Sequence, residues 1–506
     1  MTLPQKLPVL LAALLLSACA VGPDFHAPKA PAVSGYTHQP LPVTTPASKT
    51  LLGTAQTFGG QLANNDEWWK SFHSPRLDHL IDEALAANPS ITAARATLEE
   101  ARQTWAAQAG STLYPKASLG LGAERQAFND AFFGQSGTSI FNLYNANVAV
   151  SYQFDLFGAN KRALESLAAQ SDYQQQELRA AQLTLAGNIA TAAMTQAALS
   201  AQIDATQQII ALQQKNLALA EQRQHMGAIA LSDVLSLKAQ LEQTQASLPT
   251  LQNRLQQTSH LLASLLGKSP AGFTVPDFKL TDFTLPAQLP LVVPSRLVRS
   301  RPDIQAAEAM LHAANAQYGV AVANLYPQIN LSANVGQESL TPGALFNPAA
   351  SVWSLAGQLS QPLFNGGLKA GVEAAKANLR AVDANYQQTV LQAFRNVADS
   401  LRALDNDAQT LAAQTAADDT AQQSLDLTTQ QFHLGSASYL QWLISQQQAQ
   451  QSRINLIAAQ AQRLTDTVAL YQAMGGAWVT TSLSFDFGNR TQRLSIYMHL
   501  YAEHSL

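Results

Sequence analysis

The chain has 506 residues, a formal net charge of −4 and only 13% charged residues, against a usual share of about a quarter. Near neutrality leaves no basic field for a nucleic-acid partner. A single cysteine excludes both a disulfide framework and a thiolate metal site.

The first 18 residues carry Lys6, an apolar run from Leu7 to Leu16, and the small residues Ser17 and Ala18 before Cys19. Such a segment is a signal peptide, not part of the fold. Its apolar run of about 10 residues is roughly half of what a membrane-crossing helix needs. Residues 19–75 form an N-terminal arm and equatorial segment. Within it, 22–60 is rich in proline, threonine, glycine and alanine and reads as extended and mostly irregular. Order is expected to begin near Trp68 and Trp69.

The body is a tandem repeat, 76–267 and 301–476, joined by an equatorial linker at 268–300 and followed by a tail at 477–506. "STLYPKASLGLG" at 111–122 returns as "ANLYPQINLSAN" at 323–334, and "DLFGANKRA" at 155–163 is echoed by "PLFNGGLKA" at 362–370. "HMG" at 225–227 returns as "HLG" at 433–435, and at the same offset "DVL" at 233–235 meets "QWL" at 441–443.

Each copy opens with a helix, 76–110 or 301–324, that ends near Tyr114-Pro115 or Tyr326-Pro327, because the residue before proline is biased toward extended geometry. Period-two alternation then predicts strands at 117–124 and 148–155, and at 329–336 and 353–360, with one apolar face and one polar or small. That pattern suits a half-buried strand or a barrel with lipid outside and water inside. Four strands cannot close a bacterial membrane barrel alone, so several subunits would have to contribute. Phe128, Phe132, Phe133 and Phe141 are expected in the loop between the first two strands.

Long helices follow, from about Lys161 to Gln224 and from about Leu368 to Phe432. At roughly 64 residues each they are on the order of 95 Å long. Val390, Phe394, Val397, Leu401 and Leu404 follow 4-3 spacing, and Leu241, Leu248, Leu255 and Leu262 recur every seven residues, the seam of a coiled coil. Pro249 is expected to kink the latter set. Gly227 and Gly435 break the long helices, and a return helix of about 38 residues makes each an antiparallel hairpin.

Several motifs together resemble one family: "CAVGPDF" at 19–25, "EWWKSFHSPRLDHLIDEALAANPSI" at 67–91, "SYQFDLFG" at 151–158, "SRPDIQAAEAML" at 300–311 and "QPLFNGG" at 361–367. Arranged around the twofold repeat, they resemble outer-membrane efflux lipoproteins of the TolC and OprM superfamily, in the branch called NodT-like. Leu-Ser-Ala-Cys likewise resembles a lipobox, which makes Cys19 the lipidated first residue. The absence of aspartate after it implies outer-membrane sorting.

The resemblance implies a mixed alpha/beta membrane protein of TolC-like fold, built as a homotrimer. Three subunits would share a twelve-stranded outer-membrane β-barrel, continued by an α-helical coiled-coil tunnel through the periplasm. A periplasmic adaptor, linked to an inner-membrane transporter, would dock at the periplasmic tip of this efflux conduit. No cofactor is implied beyond the covalent lipid on Cys19, and no reaction on the cargo.

For the tip and gate the resemblance points to Gly227, Ala228 and Asp233 in the first copy and to Gly435, Ser436, Gln441 and Ile444 in the second. Acidic residues past each glycine form a ring in the family. Asp233 fits that position, whereas Gln441-Trp442-Leu443-Ile444 replaces the acidic run. A protein-secretion conduit and a lipid-anchored periplasmic coiled-coil scaffold are alternatives. An enzyme is disfavoured, since the ten histidines offer no zinc-motif pair and no phosphate loop or nucleophile elbow occurs.

Overall fold

The computed structural model describes residues 20–33, 35–60, 67–129, 134 and 136–476. Cys19, Phe132, Phe133 and the tail from residue 477 lie outside the described residues.

In chain order β1 (Thr57–Gly60) lies in the N-terminal arm, and the first copy comprises α1 (Pro75–Ala87), α2 (Pro89–Thr112), β2 (Lys116–Asn129), β3 (Thr138–Phe154), α3 (Ala159–His225) and α4 (Leu231–Leu265). The linker holds β4 (Gln288–Pro290), which pairs in parallel with β1. The linker ends in the short α5 (Pro294–Ser300), and the second copy comprises α6 (Pro302–Ala323), β5 (Gln328–Ser339), β6 (Ser351–Ser360), α7 (Gly366–His433) and α8 (Tyr439–Ala473).

Strands β2, β3, β5 and β6 form one antiparallel sheet in that order, with β2 and β6 at free edges. Register places Leu119, Val148, Val335 and Trp353 in one row across all four strands. All four are exposed, Leu119 at 74% and Trp353 at 79%. Ser118, Ala149, Asn334 and Ser354 form a row on the other face. One apolar and one polar face is the pattern of a sheet that separates lipid from water. The strands overrun their sequence-based bounds. Phe128 and Phe141 therefore belong to β2 and β3, paired with Ser139 and Gln126, rather than to a loop.

The long helices α3 and α7 have 67 and 68 residues, about 100 Å each, and their return helices 35. The expected leading helix 76–110 is two helices. Asn88 sits in extended geometry before Pro89 and accepts from the Ser90 amide at 2.7 Å, so it caps a new helix where proline cannot continue the old one. Residues 301–324 likewise start at Pro302, after the separate short α5. Pro249 lies inside the uninterrupted α4. In the heptad set Leu241 and Leu262 are buried while Leu248 and Leu255 are half-buried.

The main apolar core sits at the equator, where Trp68 stacks on Tyr471 at 5.4 Å and meets Trp69 edge-on at 5.9 Å. Arg463 of α8 is only 1% exposed. Its guanidinium donates to Leu52 O, Thr54 O, Thr45 Oγ1 and Gln56 Oε1, so it pins the N-terminal arm to the helices.

One turn further on, the Asp466 carboxyl meets that of Asp407 on α7. Burial first, and Asp407 second, push it up to about 8. Because this folded value exceeds the unfolded one near 4, the pair's stabilisation is present below about pH 4 and is lost as pH rises through about 8. Asp466→Asn is expected to flatten this dependence and raise the melting temperature at pH 9, as read by a thermal-melt series from pH 5 to 9.

Candidate functional site

The free end of the helical body is built from two hairpin turns. At the end of α3, Gly227 takes φ +73°, the Ala228 amide bonds Arg223 O at 2.9 Å and the Gly227 amide bonds Gln224 O at 2.9 Å. At the end of α7, Gly435 takes φ +75°, with Ser436 to Gln431 O at 2.9 Å and Gly435 to Phe432 O at 3.1 Å. Both are Schellman closures, in which glycine supplies the left-handed residue and the orphan carbonyls are satisfied. Ala228 and Ser436 are exposed at the extreme end, flanked by Met226 at 75% and Leu434 at 84% exposure.

Asp233 and Gln441 are each the third residue of their return helices. Half-buried Asp233 sits where a helix N-terminus favours a carboxylate. Gln441 is used differently. Its Oε1 accepts from the Ser438 amide at 2.8 Å while Ser438 Oγ accepts from the Gln441 amide at 3.3 Å, a capping box that turns this side chain back on its own helix. Ile444 is 53% exposed, one turn on.

Between the two hairpins lies a cluster that sequence reasoning did not single out. Trp442 is 6% exposed and packs with Ala220, Val234 and Leu237 of the first hairpin. It stacks on Phe432 at 5.3 Å and 12°, and its Nε1 donates to Thr429 Oγ1 at 3.0 Å. Tyr439 completes the group, 6.0 Å from Trp442. Burial, and then the nearby Asp233 carboxylate, push its phenol well above the usual range. The available signal was asymmetry between the copies, since Phe432, Tyr439 and Trp442 align with Gln224, Leu231 and Val234.

At the other end of the helices, the segment after Cys19 is docked where sheet meets helix. Arg162 Nη2 reaches Asp24 Oδ1 at 2.6 Å and Nη1 reaches Glu165 Oε2 at 2.7 Å. His312 Nε2 lies 2.9 Å from Glu165 Oε1 while its ring stacks on Phe25 at 4.3 Å. The bonds from His312 and then Arg162 outweigh burial and hold the Glu165 carboxyl below its ordinary range. Asn315 donates to Pro23 O at 3.0 Å, and the Val21 amide to Phe157 O at 3.1 Å. Gly22, at φ +92°, lies where a Cβ would come within 2.8 Å of Gly319 Cα. "VGPDF" thus fixes the chain directly after Cys19 to the sheet-helix junction.

Comparison with known proteins agrees with this architecture. The profile of the family described as outer membrane efflux protein matches residues 80–268 and 293–476. The antibiotic efflux pump outer membrane protein ArpC of Pseudomonas putida is 29% identical over 470 residues, 92% of this chain and 94% of its own. Outer membrane protein OprJ of Pseudomonas aeruginosa is 28% identical over 472 residues, 93% and 95% of the two chains. Among solved structures, the outer-membrane channel OprN superposes with a TM-score of 0.82 at 26% identity, covering 90% of this chain and 99% of its own. VceC of Vibrio cholerae superposes at 0.75 and 27%, covering 81% and 99%. The chain belongs to the outer membrane efflux protein family, as an efflux-pump channel of TolC-like fold that crosses the outer membrane by its strands and extends into the periplasm by its helices.

Proposed function

We propose that the chain works as a homotrimer, anchored by lipid on Cys19, in which three four-stranded sheets close one twelve-stranded barrel and six hairpins form the tunnel. The observation that carries this is the open sheet with two unpaired edges and an exposed apolar face. Such a sheet is unstable alone in either water or lipid, because each free edge leaves backbone groups unsatisfied.

The exposed ends at Gly227-Ala228 and Gly435-Ser436 are the docking surface for a periplasmic adaptor that joins the channel to an inner-membrane transporter. Asp233, Gln441 and Ile444 lie just behind, at the gate. The cargo is small molecules that pass without chemical change. The relatives' names speak of antibiotics, toluene and other solvents, and pyoverdine. These support small-molecule efflux over a protein-secretion conduit or a scaffold.

A photo-crosslinking residue at Ala228, irradiated in whole cells, tests the docking. Capture of a periplasmic adaptor on a three-chain species is expected. A crosslink-free monomer, or capture only on peptidoglycan, would overturn it.

A further inference from the structure

We infer, resting on the trimer proposed above, that successive copies join in a single register with Leu359 of one opposite Leu119 of the next, and that Phe364 stacked on Tyr114 of that next copy closes the seam at its helix end. Phe364 is 100% exposed and continues, with Leu363, the exposed apolar strip of Leu355 and Leu359 on β6. A contiguous strip of this kind is a surface that something covers.

The repeat supplies the cover. Matching Leu113-Tyr114-Pro115 to Leu325-Tyr326-Pro327, and Leu156-Phe157 to Leu363-Phe364, makes β2 the counterpart of β5 and β6 the counterpart of β3. Inside the chain β3 pairs with β5, and beside that pair Phe157 stacks on Tyr326 at 4.8 Å and 19°. The counterparts Phe364 and Tyr114 adjoin β6 and β2, the opposite edges of the sheet, and both are exposed. The helices run in the same order, since α3 packs against α2 and α6, and α6 against α7, so sheet and helices end on the same two sides. A second copy set beside the first by the repeat's own geometry brings the unmet pair together.

Register follows from the same correspondence. Within the chain Tyr152 faces Leu331 and Ala146 faces Gln337. Carried to the seam, these pairs become Leu359 facing Leu119 of the next copy and Trp353 facing its Arg125. Leu359, Leu119 and Trp353 are exposed apolar residues of one face, so the carried register keeps the apolar band continuous across the join. A slip of one residue would set Leu359 against Ser118 or Gly120 and turn polar side chains toward lipid. The seam is also chemically distinct from the joint it copies. An indole beside a guanidinium replaces Ala146 and Gln337, and this suits a cation–π pair.

Full-length protein in intact outer membranes tests this. One chain carries Leu359→Cys, and a co-expressed second chain carries a single cysteine at each position of β2 in turn. Under mild oxidation Leu119→Cys is expected to bridge at least about tenfold faster than Ala117→Cys or Leu121→Cys. A directly opposed Cβ is about 4.5–5.5 Å away, within reach of a disulfide, and a diagonal one about 7–8 Å. A maximum elsewhere along β2 would overturn the register while leaving the trimer in place. Absence of bridging at every position of β2 would overturn the trimer reading, and the seam with it. The ring contact is read from unboiled gels of samples heated in steps. Tyr114→Ala and Phe364→Ala are each expected to lower the temperature at which the assembled species falls apart, and together to lower it no further than one alone. If Phe364→Ala assembles poorly, Phe364→Leu carries the same comparison. Additive lowering, or none, would overturn the stack.

Discussion

Arg463→Met is expected to lower the unfolding free energy by about 3–5 kcal/mol and to release the N-terminal arm to protease. The guanidinium lies wholly inside the equatorial region and serves two backbone carbonyls and two side-chain oxygens of the arm, the closest being Leu52 O and Gln56 Oε1 at 2.9 Å each. Methionine fills much of the volume but leaves Leu52 O and Gln56 Oε1 without this donor in a buried place, each costing about 1–3 kcal/mol, while Thr45 Oγ1 keeps the Gln56 amide at 3.0 Å. Lysine is expected to recover little, because a compact ammonium cannot span four acceptors arranged for a planar fork. Limited trypsin digestion with N-terminal sequencing checks the arm, and thermal melting checks the cost. An arm that remains protected in Arg463→Met would mean that apolar packing alone holds it.

The second large effect lies in the sheet. Gly336→Val is expected to reduce assembled protein in the outer membrane to less than about a tenth of the parent level. A Cβ at this position would sit 2.4 Å from Ala146 O and 2.7 Å from Asn147 Cα, both backbone atoms of β3. Neither can swing aside as the end of a side chain can, so β3 and β5 would have to part and give up ladder bonds that nothing in lipid replaces. Gly357→Val is the control. A Cβ there meets nothing within 4 Å, and the residue lies on the apolar face, opposite Leu331. Membrane fractionation and an unboiled gel should show Gly357→Val assembled and Gly336→Val missing. Equal assembly of the two would remove close strand approach as the reason for glycine at position 336.

The strands were legible because a face that must meet lipid writes a strict period of two, as in Leu119 and Leu121 or Leu355 and Leu359. The hairpins were legible from helices too long for any compact body and from the recurrence of "HMG" as "HLG". What could not be read depends on residues far apart in the chain. An arginine at the start of a long helix, Arg162, looks like a solvated charge until the fold places Asp24, 138 positions earlier in the chain, beside it. Gln441 reads as a gap in an acidic pattern, whereas its hydrogen bonds make it a cap. Trp442 sits in a run that looks merely apolar, and only the packing of four helices shows that its socket belongs to the other repeat. The break at Asn88 was within reach, since Asn-Pro followed by Ser is a helix start, but the apolar periodicity on either side masked it.

The central claim is that the two free edges of the sheet, β2 and β6, are satisfied by other copies of the same chain. Cysteines introduced singly along β2 and β6 and paired combinatorially, then oxidised in intact outer membranes, test it most directly. The ladder of crosslinked species is expected to stop at three chains, with bridging only between β2 of one copy and β6 of the next. A ladder that stopped at two, ran on beyond three, or bridged β2 to β2 would contradict a closed barrel of twelve strands.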